Sequence, residues 1–172
     1  KVGIVIPNGS KNGGVIQYSI SMIESLGKID DIQIIIFSYK DLNFNIDADI
    51  EVRKLKKPGA IVNFVRIVAL CTSRKLLRKY IERNEQIKDV DIFFSPIIAD
   101  YPHLYLDQKF IYTHHDLQER YYPKNFSIRQ RFLRRLLGKA LLKSAYAIVC
   151  ESASVKNDIK KFFKHQKGNI FC

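Results

Sequence analysis

Cysteine is scarce in this sequence and nowhere paired. Cys71, Cys150 and Cys172 stand far apart, and no C-x-x-C occurs. That argues against a zinc site or a disulfide framework, and the odd count fits a reducing compartment. Long apolar runs are missing too. None approaches the roughly 20 residues of a membrane span, and no secretory signal stands at the start. Acidic side chains are the minority, 17 Asp and Glu against 29 Lys and Arg. The resulting net charge of +12 implies an anionic partner, of which nucleic acid, an anionic membrane surface and a phosphorylated substrate are the candidates. Several signatures are also absent. Neither G-x-G-x-x-G nor G-x-x-x-x-G-K-[ST] occurs, which disfavours an ordinary dinucleotide or Walker-type site. No G-x-S-x-G elbow surrounds a serine, and no helix-turn-helix, zinc finger or RNP-like aromatic motif supports nucleic-acid binding beyond the charge itself.

What is present is a regular alternation. Short, nearly continuous apolar runs fit strands buried on both faces of a parallel sheet. They fall at Val2–Ile6, Ile32–Phe37, Val90–Phe94, Lys109–Thr113 and Tyr146–Cys150, and Ile50–Leu55, which follows a polar stretch, is expected as a further strand. Helical spacing recurs between them, at Val15–Leu26, from Ala60 to about Ile87, at Ile128–Lys143, and from Ser152 or Ser154 to about Phe163. Strand and helix in turn predict an α/β fold, a Rossmann-like three-layer sandwich around a mostly parallel sheet. The 172 residues suit one such domain over 1–172. The chain opens on Lys1 directly before a strand and closes on Asn169-Ile170-Phe171-Cys172, the opening of another. A piece of a longer chain is therefore expected.

Four features carry chemistry. The first strand leads through Pro7–Asn12 to Gly13-Gly14 and then a helix. Helix N-termini present N–H groups and partial positive charge to anions, and glycine lets a ligand approach the backbone; the plainer reading is a connecting loop. Tyr112-Thr113-His114-His115-Asp116-Leu117 closes a central strand at the carboxyl edge, where open α/β sheets bind ligands. Histidine there can donate to a sugar hydroxyl or a phosphate. Asp116 is placed to orient the imidazole or to accept from a hydroxyl. The alternative is a polar strand end that only caps a loop. No third ligand accompanies the two histidines, so no metal site is expected. Glu151 and Ser152 leave the next strand at the same edge, as cleft-facing candidates with His114 or as helix caps; Cys150 reads as a buried apolar residue. Finally, no acidic residue occurs between Arg120 and Lys143. Ile128, Phe132, Leu133, Leu136, Leu137, Ala140 and Leu141 form an apolar stripe expected to be core. Arg129, Arg131, Arg134, Arg135 and Lys139 surround it and suit an anionic bilayer surface. A second basic set, Arg53, Lys54, Lys56, Lys57, Arg66, Arg74, Lys75, Arg78 and Lys79, supports the same partner.

In order and spacing, these motifs resemble family 4 glycosyltransferases of the GT-B fold. The segment G-G-x-x-x-Y stands at Gly13-Gly14-Val15-Ile16-Gln17-Tyr18, H-D-L at His115-Asp116-Leu117, and the later strand-to-helix pattern at Cys150–Ser154 through Asp158-Ile159. The family often carries a further glycine where Ile16 stands. The resemblance covers the whole chain. It implies the amino-terminal, acceptor-binding half of an enzyme that moves a sugar from a nucleotide-sugar to an acceptor, with retention and without a required metal or other cofactor. The second domain, which binds most of the donor, lies outside this chain, so the chain alone would be inactive. By resemblance Gly13 and Gly14 approach the donor diphosphate, and His115, with Asp116, serves the transferred sugar. Many relatives use lipid-linked acceptors and rest on the cytoplasmic face of the membrane, which is the location expected here. The rival readings are a GT-B sugar epimerase and a non-enzymatic basic α/β module that binds nucleic acid or anionic lipid.

Overall fold

The structure, a computed structural model, describes residues 1–6, 13–42, 44, 50–56, 59–71, 87–99, 102–104, 108–163 and 168–172. Seven strands form one sheet: β1 (Val2–Ile6), β2 (Ile34–Ser38), β3 (Glu51–Lys54), β4 (Ile92–Ser95), β5 (Phe110–His114), β6 (Ala147–Cys150) and β7 (Asn169–Phe171). Their order is β3-β2-β1-β4-β5-β6-β7. Every neighbouring pair is parallel, which makes this an α/β, Rossmann-like arrangement. Five helices accompany the sheet among the described residues: α1 (Gly14–Gly27), α2 (Ala60–Cys71), α3 (Gln118–Tyr121), α4 (Ile128–Ser144) and α5 (Ala153–Phe162).

The five central strands are largely apolar because both faces are covered, whereas the edge strands β3 and β7 are mostly exposed. Ile34 to Phe37 in β2 are all buried. Alternate residues of β5 feed separate cores. Phe110 and Tyr112 join Phe93, Ile148, Leu141 and Ile159 on one face. Ile111 packs with Ile4, Ile36 and Phe94 on the other, under Tyr18, Met22 and Ile23 of α1. Gly3 in β1 is set by close approach, since a Cβ there would lie 2.7 Å from Phe93 Cε1.

The strand order reverses between β1 and β4. From β1 the chain builds outward to β2 and β3, and from β4 to β7. The crevice beyond the carboxyl ends at such a switch point is where open α/β sheets receive ligands.

Two expectations about packing are corrected. Only the carboxyl half of α4 is core: Gly138, Ala140, Leu141 and Leu142 are buried, whereas Ile128 is 78% and Phe132 53% exposed. A stripe of the right period buries only as far as there is sheet beneath it. The helix start holds by local chemistry instead. Ser127 Oγ accepts from the Gln130 N–H at 3.2 Å, and Gln130 Oε1 accepts from the Ser127 N–H at 2.8 Å, a complete capping box. The second basic set is also less available than its charge suggests. Arg53 is bound by Glu51 and Asp89, Lys54 is paired with Asp41, and Arg66 is buried. Lys57, Arg74, Lys75, Arg78 and Lys79 lie outside the described residues, as does the Pro7–Asn12 loop.

Candidate functional site

Parallel pairing brings two of the singled-out residues together. Strands β5 and β6 run in register as Thr113 with Val149 and His114 with Cys150. His115 and Glu151 therefore leave the sheet side by side. His115 Nδ1 lies 2.7 Å from Glu151 Oε1. Its Nε2 lies 2.6 Å from the carbonyl oxygen of Pro96, the residue that follows β4. One imidazole thus ties together the carboxyl ends of three strands. It is largely buried, with 19% of its side chain exposed, while Glu151 is half exposed.

Helix α1 closes the other side. Tyr18 lies one turn in from Gly14, and its hydroxyl is 2.9 Å from Thr113 Oγ1. Its ring meets His115 edge to face, with centroids 5.0 Å apart. Burial raises the Tyr18 phenol above its ordinary value; the Thr113 hydrogen bond opposes this and the Glu151 charge adds to it. One turn of helix rises about 5.4 Å, so the start of α1 stands close to His115. Gly13 is extended, and its carbonyl accepts from Ile16 and Gln17. No side chain caps α1 and its first turn holds no acid. A Cβ on Gly14 would meet nothing within 4 Å. Neither glycine is required by backbone conformation, so what the pair supplies is room at a helix N-terminus.

The sequence profile of Glycosyltransferase Family 4 matches residues 12–171, the span that holds this edge and all of α1–α5. The chain belongs to glycosyltransferase family 4. It is the Rossmann-like amino-terminal domain of that family's GT-B fold. No curated protein matches it.

Within this glycosyltransferase domain the remaining candidates separate. His114 does not face the cleft. It is the last residue of β5, and strand alternation turns it to the face opposite His115. There it is 3% exposed, with Nδ1 2.9 Å from the Tyr112 hydroxyl and its ring against Phe163. Burial pushes its imidazole down to about 4. Asp116 does not hold the His115 imidazole. Its Oδ1 accepts from the Gln118 N–H at 3.1 Å and from Arg134 Nη2 at 3.0 Å, because α3 begins two residues on and needs that acceptor. Ser152 caps α5, accepting from the Val155 N–H at 3.3 Å. Cys150 is buried, and desolvation raises its thiol to about 11, a buried apolar role rather than a nucleophilic one.

Arg134 leaves the set of free cations. Its Nε donates to Glu119 Oε2 at 3.0 Å, and its guanidinium sits 5.2 Å over the Phe126 ring. Glu119 is itself buried. Arg129, Arg135 and Lys139 remain exposed, and Arg131 is half-buried. Four contributors went unassigned in the sequence: Pro96, Thr113, Glu119 and the Tyr18 side chain. Only Tyr18 carried a readable signal, since its place four residues after Gly14 puts it on the helix one turn in.

Proposed function

We propose that this domain forms the acceptor-side wall of a glycosyltransferase cleft. The enzyme moves a sugar from a nucleotide-sugar to a cell-surface glycan acceptor that is lipid-linked, with retention of configuration. The observation that carries this reading is the cluster of His115, Glu151, Pro96 and Tyr18 at the carboxyl edge, one helical turn from the start of α1. A developing phosphate charge is stabilised by oriented donors and helix N-termini in a closed site. Gly13 and Gly14 would admit the donor diphosphate, and His115 would stand beside the transferred sugar. Most of the donor is held by the second domain, and turnover requires closure of the two to exclude water.

The same reading places the domain on the inner face of the membrane. No helix among the described residues is long and apolar enough to cross a bilayer, so the contact would be peripheral. Helix α2 exposes Ile61 and Phe64 at 80% and 67%. It packs against α4, whose first turns expose Ile128 and Phe132 beside Arg129 and Arg135. Exposed apolar side chains with cations on the same helix, as at the start of α4, suit an anionic lipid surface, where each basic residue contributes about 1 kcal/mol.

The test uses the full-length protein with a panel of labelled nucleotide-sugars and a membrane lipid extract as acceptor. Release of nucleoside diphosphate together with labelled lipid product is expected. Conversion of the nucleotide-sugar to its epimer, with no transfer, would mean epimerase chemistry instead. Flotation with phosphatidylglycerol vesicles is expected at low salt and lost at high salt, by screening. Tighter binding to an oligonucleotide than to vesicles would favour the nucleic-acid reading.

A further inference from the structure

We infer that Glu151 is a positioning residue that keeps His115 doubly protonated, so that His115 serves transfer as a fixed cation rather than as a base or a ring-nitrogen ligand of the sugar. This rests on the proposed transferase reading of the carboxyl edge.

A neutral imidazole has one N–H and one lone pair. Both ring nitrogens of His115 face oxygens, at 2.7 Å to Glu151 Oε1 and 2.6 Å to the Pro96 carbonyl. A carbonyl oxygen only accepts, so Nε2 must carry a proton. If Nδ1 were bare, its lone pair would face a carboxylate lone pair at hydrogen-bond distance, which is repulsive. One more proton must therefore lie between Nδ1 and Glu151. Glu151 is half exposed, and water supports the charged carboxylate there, so the proton rests on the ring and the bond is charge-assisted.

The other neighbours agree. From α1 the facing group is the Tyr18 ring, which meets His115 edge-on and whose hydroxyl is engaged with Thr113. Next along the chain, Asp116 is spent on Arg134 and Gln118. Glu151 is thus the carboxylate bonded to the ring. A ring committed at both nitrogens has no lone pair with which to take a proton. What it offers is a positive charge whose position is fixed by three strands and a helix. Transfer from a nucleotide-sugar leaves growing negative charge on the departing phosphate, and a preorganised cation favours that state over the ground state.

The test is made on full-length protein labelled with 15N-histidine. Long-range 1H–15N spectra at pH 7, with His115 assigned by its substitution, should show two ring N–H groups in the wild type. Glu151→Gln should show one, because the amide can donate to a bare Nδ1 and the neutral tautomer then satisfies every partner. The same variant should lose at least tenfold in kcat with KM held within threefold, since the charge acts on the transition state. Glu151→Asp, which keeps the carboxylate, should retain more of both signals than Glu151→Gln. A single ring N–H in the wild type would overturn the inference. So would two ring N–H groups in Glu151→Gln, or unchanged kcat in that variant. A large loss in His115→Ala beside a silent Glu151→Gln would remove this inference and leave the transferase reading standing. Unchanged turnover in His115→Ala would remove His115 from the reaction and this inference with it.

Discussion

Replacing Arg134 should cost far more stability than replacing its partner Glu119. The Glu119 side chain is 4% exposed and is held by Arg134 Nε at 3.0 Å. Arg134→Met keeps the stem volume and removes the guanidinium, which strands a carboxylate in the interior. Breaking a buried pair in this way costs about 3–5 kcal/mol. Arg134 is itself 28% exposed, so water can partly fill the vacated position and the lower end applies. The lost bond to Asp116, whose side chain is 40% exposed, adds little, and the lost stacking over Phe126 adds about 0.5 kcal/mol. The expected loss is about 3 kcal/mol, or roughly 6–12 °C in Tm for a domain of this size. Glu119→Gln leaves Arg134 with Asp116 and solvent, and should cost only about 1 kcal/mol. The double variant should then be more stable than Arg134→Met alone, because no charge is stranded. Urea and thermal denaturation of the four proteins measure this cycle. A loss under 1 kcal/mol for Arg134→Met, or no recovery in the double variant, would refute the reading of Glu119 as a buried carboxylate held by Arg134.

Two further outcomes follow from burial. The His114 imidazole is depressed to about 4, so unfolded chain binds its proton near pH 6.5 while folded chain does not. Its contribution to stability is complete above pH 6.5 and is lost as pH falls toward 4, on the order of 3 kcal/mol; His114→Gln should flatten that slope in denaturation curves collected across this range. Gly3→Ala should destabilise by about 1–3 kcal/mol. The new methyl would lie 2.7 Å from Phe93 Cε1 and 3.0 Å from Val90 Cγ1, and Phe93 is pinned by stacking on His103 at 4.6 Å. A Tm unchanged by that substitution would mean that β1 and β4 lie further apart than described.

The parallel sheet was legible because its central strands are covered on both faces, which leaves runs such as Ile34–Phe37 without a polar residue. Their limits moved by a residue or two, as strand ends do when the last hydrogen bond decides them. The carboxyl edge was legible as well, since a polar residue directly after an apolar run marks where a strand leaves the sheet. What could not be read was pairing between distant residues. His115 meets Glu151 only because β5 and β6 are neighbours in a particular register, and nothing local to either residue fixes that. Asp116 stood closer in sequence, yet the start of α3 and Arg134 claim it. The face of His114 was within reach, because period-two alternation from Tyr112 puts it with the buried set. The exposed start of α4 was not, since helical spacing is the same over sheet and over water.

Transfer by the full-length protein, compared between the wild type and His115→Ala, tests the functional edge most directly. The substitution removes an imidazole whose contacts are a half-exposed carboxylate, a carbonyl and one ring edge. Folding should therefore survive, and circular dichroism together with Tm would verify it. The expected result is a fall in kcat/KM of at least 10²-fold, about 2.7 kcal/mol of lost transition-state stabilisation. A folded His115→Ala protein that transfers sugar within threefold of the wild-type rate would contradict the placement of the reaction at this edge.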